Sequence, residues 1–210
     1  MDTYLTQMLK FPTHSILLVS SLLALSPYQT FYQTKIQDLS LMKKEKRVFL
    51  GDSLTMRHNW SAFKASNLGI DGDTTQGVLK RISQATQAQN IVLMIGVNDI
   101  LQNAQVTKIQ NNYIKILDSF NKDQTIYVLS LLPVLHQKQT ISINQKIKEM
   151  NKWLQTETTK RHIIYINLYP SFLDKEKKGL SHVYTTDGIH LTTKGYKLWE
   201  KTLKNILSVY

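Results

Sequence analysis

Ser53 carries a side chain that can act as a nucleophile, and it follows a short apolar run that ends at a glycine. Residues 48–50 are predicted to form a buried strand, because β-branched and aromatic residues fit a pleated surface. Gly51 permits a tight turn after that strand. In an open α/β sheet, Ser53 would then lie at the carboxyl edge, where such folds bind ligands. On this stretch alone, an ordinary turn serine is an equal alternative.

A carboxylate and an imidazole that could activate this serine lie three residues apart, at Asp187 and His190. At this spacing the two side chains can share a turn, with the carboxylate on one ring nitrogen. A serine hydroxyl is a weak nucleophile until a base removes its proton, and histidine can do so near neutral pH. Asp187 would fix the tautomer of His190 and stabilise its charged form. The three residues together indicate acyl-transfer chemistry.

Such chemistry needs preorganised donors for a tetrahedral oxyanion, and the sequence offers three. They are the backbone N–H groups of Ser53 and Gly69 and the side-chain amide of Asn98. Each follows a predicted strand, and parallel strands bring their carboxyl ends to the same edge of a sheet. The adjacent carboxylates Asp52 and Asp99 are interpreted as supporting residues that hold loops by hydrogen bonding.

The rest of the chain from residue 47 alternates between strand and helix patterns, which predicts an α/β fold with a parallel sheet covered on both faces. The predicted strands are 48–50, 67–68, 91–95, 125–129 and 163–167. The predicted helices are 74–85, 108–120, 144–158 and 193–209. Asp73 and Thr192 are good N-caps for the first and last of these helices.

These motifs resemble those of the GDSL or SGNH hydrolase family, and they occur in the family's order from about residue 47 to the C-terminus. They are Gly51-Asp52-Ser53-Leu54, Gly69, Gly96-Val97-Asn98-Asp99 and Asp187-Gly188-Ile189-His190. The resemblance implies a flavodoxin-like three-layer α/β/α fold with about five parallel strands. It also implies Ser53 as nucleophile, His190 as base, Asp187 as its partner, and Ser53, Gly69 and Asn98 as the oxyanion hole. Segments 67–75 and 185–191 look most like platelet-activating-factor acetylhydrolase-like and lysophospholipase-like members.

The predicted function is therefore that of a serine esterase that forms an acyl-enzyme and needs no cofactor. Little length remains for a lid, and an open site suits acetyl or short-chain acyl esters of a small molecule or lipid. A carbohydrate O-deacetylase or a thioesterase is the alternative within the fold.

No metal site is expected, because no histidine pair has ligand spacing with a third ligand. Four further histidines, at 58, 136, 162 and 182, are interpreted as surface or loop residues.

Residues 1–46 are predicted to be an N-terminal hydrophobic extension, separate from a catalytic domain at 47–210. No charged residue occurs between Lys10 and Lys35, and the apolar core at 15–25 has the size of a signal peptide. The extension could be a signal or anchor, which implies a membrane-associated or extracytoplasmic protein. The alternative is a helix packed on the catalytic domain of a cytoplasmic protein.

The formal net charge of +11 favours anionic partners. An anionic membrane surface is one such partner. A non-catalytic binder of membrane or anionic polymer is the competing function class. The lysines form no long basic run interleaved with aromatic residues, so they are interpreted as solvated helix faces and no nucleic-acid partner is expected. The oligomeric state stays open.

Overall fold

The central sheet contains five strands, all parallel. They are β1 (Arg47–Gly51), β2 (Ala65–Gly69), β3 (Asn90–Met94), β4 (Thr125–Leu129) and β5 (Ile164–Ile166). The structure, a computed structural model, describes residues 26–207, and its strand order is β2-β1-β3-β4-β5. Val48, Phe49 and Leu50 are all buried, so β1 is covered on both faces, as parallel strands usually are.

Eight α-helices are described in this part of the chain. They are α1 (Pro27–Leu41), α2 (Ser53–Met56), α3 (Thr75–Lys80), α4 (Val97–Leu101), α5 (Val106–Asp118), α6 (Ile141–Lys160), α7 (Tyr169–Phe172) and α8 (Thr193–Leu207). The longer helices flank the sheet, which gives the three-layer α/β/α architecture. The predicted fold class is confirmed.

An aromatic cluster fixes α8 against the sheet. The Trp60 ring stacks on Phe49 of β1, with centroids 4.0 Å apart, and it meets the Trp199 ring of α8 edge-on at 5.2 Å. Both indoles are almost completely buried. Large buried rings contribute strongly to core stability, so this cluster anchors the helix that directly follows the His190 loop.

The predicted element boundaries differ from the structure in one instructive place, the helix predicted at 74–85. This segment divides into α3 and a separate 3₁₀ turn, Ile82–Gln84, and Arg81 between them is buried. Thr74, and not Asp73, caps α3, because its hydroxyl accepts the Gly77 N–H at 3.2 Å. The predicted cap at the other end of the chain is confirmed: the Thr192 hydroxyl accepts the Gly195 N–H.

Helix α1 lies inside the predicted N-terminal extension, yet it packs on the α/β domain. It begins with a capping box between Ser26 and Gln29, which satisfies backbone donors that a helix start leaves open. Its Leu39 side chain joins the hydrophobic core, and the Ile36 carbonyl accepts a 2.9 Å hydrogen bond from Gln84. The predictions for residues 1–25 lie outside the described residues. Within 26–207, no helix combines the length and apolarity needed to cross a bilayer.

Candidate active site

The candidate site lies where the strand order reverses. The chain runs from β1 outward to β2 and then crosses to β3 on the other side of β1. In open α/β sheets such a switch point forms a crevice at the carboxyl ends of the strands. Ser53 follows β1, and Asn98 follows β3. The fold therefore brings both of these residues to the same crevice, as their positions after strands predicted.

Ser53 is the first residue of α2 and is only 4% exposed. The preceding Asp52 caps this helix through a 3.0 Å hydrogen bond from the Leu54 N–H to its carboxylate. The main chain turns from β1 into α2 here, and Gly51 packs so closely against the Met94 carbonyl and the Thr55 side chain that there is no room for a Cβ. The turn holds the Ser53 hydroxyl at the crevice.

A continuous chain of polar contacts joins Ser53, His190 and Asp187. The Ser53 Oγ lies 3.0 Å from His190 Nε2, and His190 Nδ1 lies 2.6 Å from Asp187 Oδ2. Because an ionised carboxylate can only accept hydrogen bonds, Nδ1 carries the proton. Nε2 is then free to accept the serine proton, which is the geometry that general-base activation requires.

The loop that carries Asp187 is built to present an ionised carboxylate. Its Oδ1 accepts the backbone N–H groups of Ile189 at 3.0 Å and His190 at 2.8 Å. Partial burial opposes ionisation, but the hydrogen bond from the His190 ring and these two backbone donors together hold the pKa of Asp187 well below its usual range. Gly188 has φ of +91°, a conformation that glycine adopts readily. Asp187 is thus a permanent negative partner for the imidazole.

Asn98 presents its amide on the opposite side of the crevice. One Nδ2 hydrogen donates to the Asp73 carbonyl at 2.8 Å. An amide nitrogen has two hydrogens, so this contact orients the group and leaves the second hydrogen for a ligand. The predicted placement of Asn98 is consistent with this geometry.

Gly69 does not have the free donor that its predicted role requires. Its N–H donates to Asn67 Oδ1 at 2.9 Å. A Cβ at this position would collide with the backbone of Met56 and would lie 2.8 Å from the Asp52 carbonyl oxygen. Gly69 is therefore a close-packing position beneath α2, and the assignment of its N–H to the oxyanion hole is wrong.

Gly72 has the properties that were expected of Gly69. It lies in the loop of residues 70–74, with φ of +72°, and its N–H has no hydrogen-bond partner among residues 26–207. The same loop supplies the Asp73 carbonyl that orients Asn98. The Asp-Gly pair at 71–72 is a turn signal in the sequence, but a turn signal alone does not show which amide stays free.

A buried ion pair holds the 70–74 loop to the sheet. The Arg81 guanidinium contacts Asp73 Oδ2 at 2.6 and 2.8 Å, and both side chains are almost fully buried. The same guanidinium donates to the Gly51 carbonyl at 3.0 Å and to the Leu68 carbonyl at 2.8 Å. Arg81 thus ties the ends of β1 and β2 to this loop. Arg81 was not among the predicted site residues, because it lies within a predicted helix.

The supporting carboxylates hold loops, as predicted. Asp99 accepts the Thr75 N–H at 2.9 Å and the Thr75 hydroxyl at 2.6 Å, which fixes the start of α3. Burial raises the pKa of Asp99 above its usual value. Burial also raises the pKa of Asp52 to about 7, an effect to which the charges of Asp73 and Asp99 add. One Asp52 oxygen, Oδ2, has no hydrogen-bond partner among residues 26–207.

Two grooves lie beside the crevice. A cavity of about 380 Å³ lies beside the His190 loop and is lined by Arg57, His58, Leu191, Thr193, Tyr196, Lys197 and Glu200. A second, of about 260 Å³, lies beside the 70–74 loop, and Tyr28, Gln76, Lys80 and Gln102 are among its lining residues. Neither groove is a long apolar channel of the kind that a long acyl chain would need.

His58 is not the unpartnered surface residue that its spacing suggested. Its Nε2 lies 2.8 Å from Glu200 Oε1, and its ring stacks on Tyr196 with centroids 4.5 Å apart. These partners lie more than 130 residues away in the chain, so no local pattern could reveal them. Among residues 26–207 no group of three or more His, Asp or Glu side chains is placed to hold a metal ion.

Known proteins share both this sequence pattern and this fold. Over 179 residues the chain is 26% identical to the platelet-activating factor acetylhydrolase IB subunit alpha1 of Rattus norvegicus, covering 79% of this chain and 76% of the relative. A GDSL-like lipase from Bacteroides thetaiotaomicron superposes with a TM-score of 0.73 at 24% identity, covering 84% and 97% of the two chains. A catalytic mutant of an acetylxylan esterase from Geobacillus stearothermophilus superposes with a TM-score of 0.66 at 13% identity, covering 78% and 94%.

Residues 47–198 match the GDSL-like Lipase/Acylhydrolase family. This region contains the whole sheet and the Ser53, Asn98, Asp187 and His190 positions described above. The chain therefore belongs to the GDSL-like lipase/acylhydrolase family and is a hydrolase of ester bonds.

Proposed function

We propose that this protein is a serine esterase that removes a short acyl group, such as acetyl, through an acyl-enzyme on Ser53. The observation that carries the proposal is the contact chain from Ser53 through His190 to Asp187, with distances of 3.0 and 2.6 Å. Binding of a membrane or an anionic polymer would not require this alignment. Membership of an acylhydrolase family also favours catalysis over the non-catalytic alternative.

In the first half-reaction, Ser53 Oγ forms a bond to the ester carbonyl carbon while His190 Nε2 takes the hydroxyl proton. The carbonyl π electrons move onto oxygen and give an oxyanion. The charged imidazole is stabilised by Asp187, whose carboxylate remains ionised. When the carbonyl re-forms, the C–O bond to the alcohol breaks, the alcohol oxygen takes the proton from His190, and the acyl group stays on Ser53.

In the second half-reaction, a water molecule replaces the alcohol. His190 removes a proton from this water as its oxygen attacks the acyl carbon, and a second oxyanion forms. Collapse of this intermediate breaks the bond to Ser53 Oγ, which regains its proton from His190. The products are one alcohol and one carboxylic acid, and the enzyme is unchanged.

Both oxyanions need donors that already point at the developing charge. We assign the backbone N–H groups of Ser53 and Gly72 and the second Nδ2 hydrogen of Asn98 to this role. Gly72 takes the role that was predicted for Gly69. The support is that Gly69 already donates to Asn67, whereas Gly72 has a free N–H in the loop that orients Asn98.

The grooves beside the crevice support a proposal about the substrate class. The grooves beside the crevice are lined largely by polar and charged residues, which suits a small acyl group on a polar alcohol. The acetylhydrolase relative supports an acetyl ester of a lipid with a polar headgroup. An acetylated carbohydrate is the second candidate, because Tyr28, Gln76 and Gln102 supply the aromatic surface and amides that suit hydroxyl-rich ligands.

The direct genetic test is Ser53→Ala, compared with Ser61→Ala at an exposed position as a matched control. We expect Ser53→Ala to lower kcat for p-nitrophenyl acetate by at least about 10⁴-fold. The melting temperature should change little, because only one oxygen atom is lost, whereas Ser61→Ala should retain full activity. Undiminished turnover by Ser53→Ala would refute the proposed function.

A further inference from the structure

Helix α1 reaches the 70–74 loop with two tyrosine hydroxyls, one on each side of Gly72. Tyr28 Oη donates to the Asp71 carbonyl at 3.2 Å. Tyr32 Oη donates to Asp73 Oδ1 at 2.8 Å. We infer that Tyr28 and Tyr32, here called the tyrosine pair, are positioning residues that set the Gly72 N–H for the oxyanion. This inference rests on the proposed function.

The contacts of Tyr28 fix the backbone directly at the free donor. A Cβ built on Gly72 would lie 2.9 Å from Tyr28 Oη, so the hydroxyl occupies the space where a side chain at this position would lie. The peptide whose carbonyl Tyr28 binds is the one that joins Asp71 to Gly72. The N–H of that same peptide is the Gly72 N–H. Because a peptide unit is planar, the directions of its carbonyl and its N–H are linked. A hydroxyl on the carbonyl therefore restrains the direction of the N–H.

Tyr32 donates one of the hydrogen bonds that hold the Asp73 carboxylate. Asp73 Oδ2 is held by Arg81, and Asp73 Oδ1 accepts the Thr74 N–H at 2.8 Å as well as the Tyr32 hydroxyl. Burial, followed by the charge of Asp73, raises the pKa of Tyr32. Tyr32 therefore stays protonated and can donate at all pH values at which the enzyme would work.

Asp73 also links this carboxylate to the second oxyanion donor. Its backbone carbonyl is the acceptor that orients the Asn98 amide. A change in the position of Asp73 would thus move the Asn98 amide together with the Gly72 N–H. The tyrosine pair lies outside residues 47–198, the region that matches the acylhydrolase family, so a helix beyond that region acts on the centre of the site.

Arg57 also holds the 70–74 loop, on its solvent side. It contacts both oxygens of the Asp71 carboxylate, at 3.0 and 3.1 Å, but both side chains are more than a third exposed. Exposed ion pairs contribute little to stability. The Tyr28 hydroxyl, in contrast, binds the main chain next to Gly72, and the Tyr32 hydroxyl reaches the buried Asp73 carboxylate from α1.

The test removes each hydroxyl and keeps the ring, with Tyr28→Phe and Tyr32→Phe in the full-length chain. Tyr165→Phe is the matched control, because its hydroxyl donates to the Asn151 carbonyl at 3.2 Å, away from the crevice. Each variant is measured for kcat and KM with p-nitrophenyl acetate, for inhibition by trifluoroacetophenone, and for melting temperature. This ketone forms a tetrahedral adduct with the serine, so its affinity reports on oxyanion stabilisation.

For Tyr32→Phe we expect kcat to fall about tenfold, a fraction of the loss that a 1 Å misplacement can cause. KM should stay nearly constant, and the Ki of the ketone should rise by a similar factor. Tyr28→Phe should show the same pattern with a smaller effect, because its hydrogen bond is longer and its side chain is 50% exposed. Tyr165→Phe should leave kcat and Ki unchanged.

The inference is overturned if both phenylalanine variants keep the kcat and Ki of the parent protein, whether or not the melting temperature falls. A rise in KM alone would also overturn it, because it would assign the tyrosine pair to substrate binding. If Tyr32→Phe does not fold, Tyr28→Phe at its more exposed position decides by the same criteria. Failure of this inference is distinguishable from failure of the proposed function, because the latter would show as undiminished turnover by Ser53→Ala.

Discussion

The two sides of the crevice are built in different ways. On the proton-transfer side, Asp187 and His190 lie three residues apart, and their own backbone holds the carboxylate. On the oxyanion side, the 70–74 loop is held from four separate segments of the chain, through the tyrosine pair, Arg57, Arg81 and Asn98. A short motif thus organises one side, and tertiary contacts organise the other.

This difference has a consequence for how each side responds to substitution. A motif that contains its own hydrogen-bond partners tolerates changes elsewhere in the fold. A loop that depends on distant segments transmits changes in those segments to the reaction, because sub-ångström displacements matter for catalysis. We therefore expect that substitutions outside the site residues reduce kcat more often by displacing the oxyanion donors than by disturbing Asp187 and His190.

The largest effect expected on the oxyanion side is that of Asn98→Ala. The variant loses a donor to the oxyanion and also the contact with the Asp73 carbonyl. We expect kcat to fall by roughly 10²–10³-fold with little change in KM, because the amide binds the transition state more strongly than the ground state. Steady-state kinetics with p-nitrophenyl acetate measure both constants.

The matched control for this prediction is Asn111→Ala, at an exposed position on α5. It removes the same side-chain amide from the helix surface and should leave both constants unchanged. A rise in KM with constant kcat in Asn98→Ala would show that Asn98 binds the substrate. In that case the Asn98 amide would no longer count as a donor on the oxyanion side of the crevice.

A smaller effect is expected at Asp52, and it concerns stability. Asp52 precedes the nucleophile, but its carboxyl interacts electrostatically with the carboxylates of the oxyanion side. Burial raises its pKa to about 7, and the charges of Asp73 and Asp99 add to this shift. Between the ordinary aspartate pKa of 3.8 and about 7, the folded protein retains a proton that the unfolded chain releases. The contribution of Asp52 to the free energy of unfolding therefore falls as pH rises through this window.

Asp52→Asn removes this titration and keeps an oxygen that can accept the Leu54 N–H. Relative to the parent protein, the variant should gain on the order of 2–4 kcal/mol in free energy of unfolding between pH 4 and pH 8. Urea denaturation of both proteins at several pH values gives this difference. A difference that is the same at every pH would contradict the raised pKa of Asp52 in the folded protein.

The sequence predicted the architecture well, because the strands are continuous apolar runs and the chemistry-bearing residues follow them. It also predicted that Ser53 and Asn98 follow strands that share one edge of the sheet, and that Asp187 and His190 share a turn. It could not predict that the Gly69 N–H is taken by Asn67. Both glycines lie in the same short segment, and only the three-dimensional contacts show which amide is free.

Packing on the domain was one of the alternatives for the N-terminal extension, but the sequence pattern could not select it for α1. Its residues show weak helical amphipathicity, and few of them are buried, so periodicity gave no signal for packing. The helix is recognised only by what it contacts: the core through Leu39, the Gln84 side chain through Ile36, and the 70–74 loop through the tyrosine pair. The predicted boundary at residue 46 therefore separates a helix from the domain that it packs against.

The central claim, that Ser53 is the nucleophile activated by His190, is tested most directly by mapping a covalent adduct. The full-length protein is treated with a fluorophosphonate, digested, and analysed by tandem mass spectrometry, with His190→Ala treated in parallel. We predict a single adduct on Ser53 that forms rapidly in the parent protein and is strongly suppressed in His190→Ala. Ester hydrolysis that continues with no adduct on Ser53, or with the adduct on another residue, would contradict the claim.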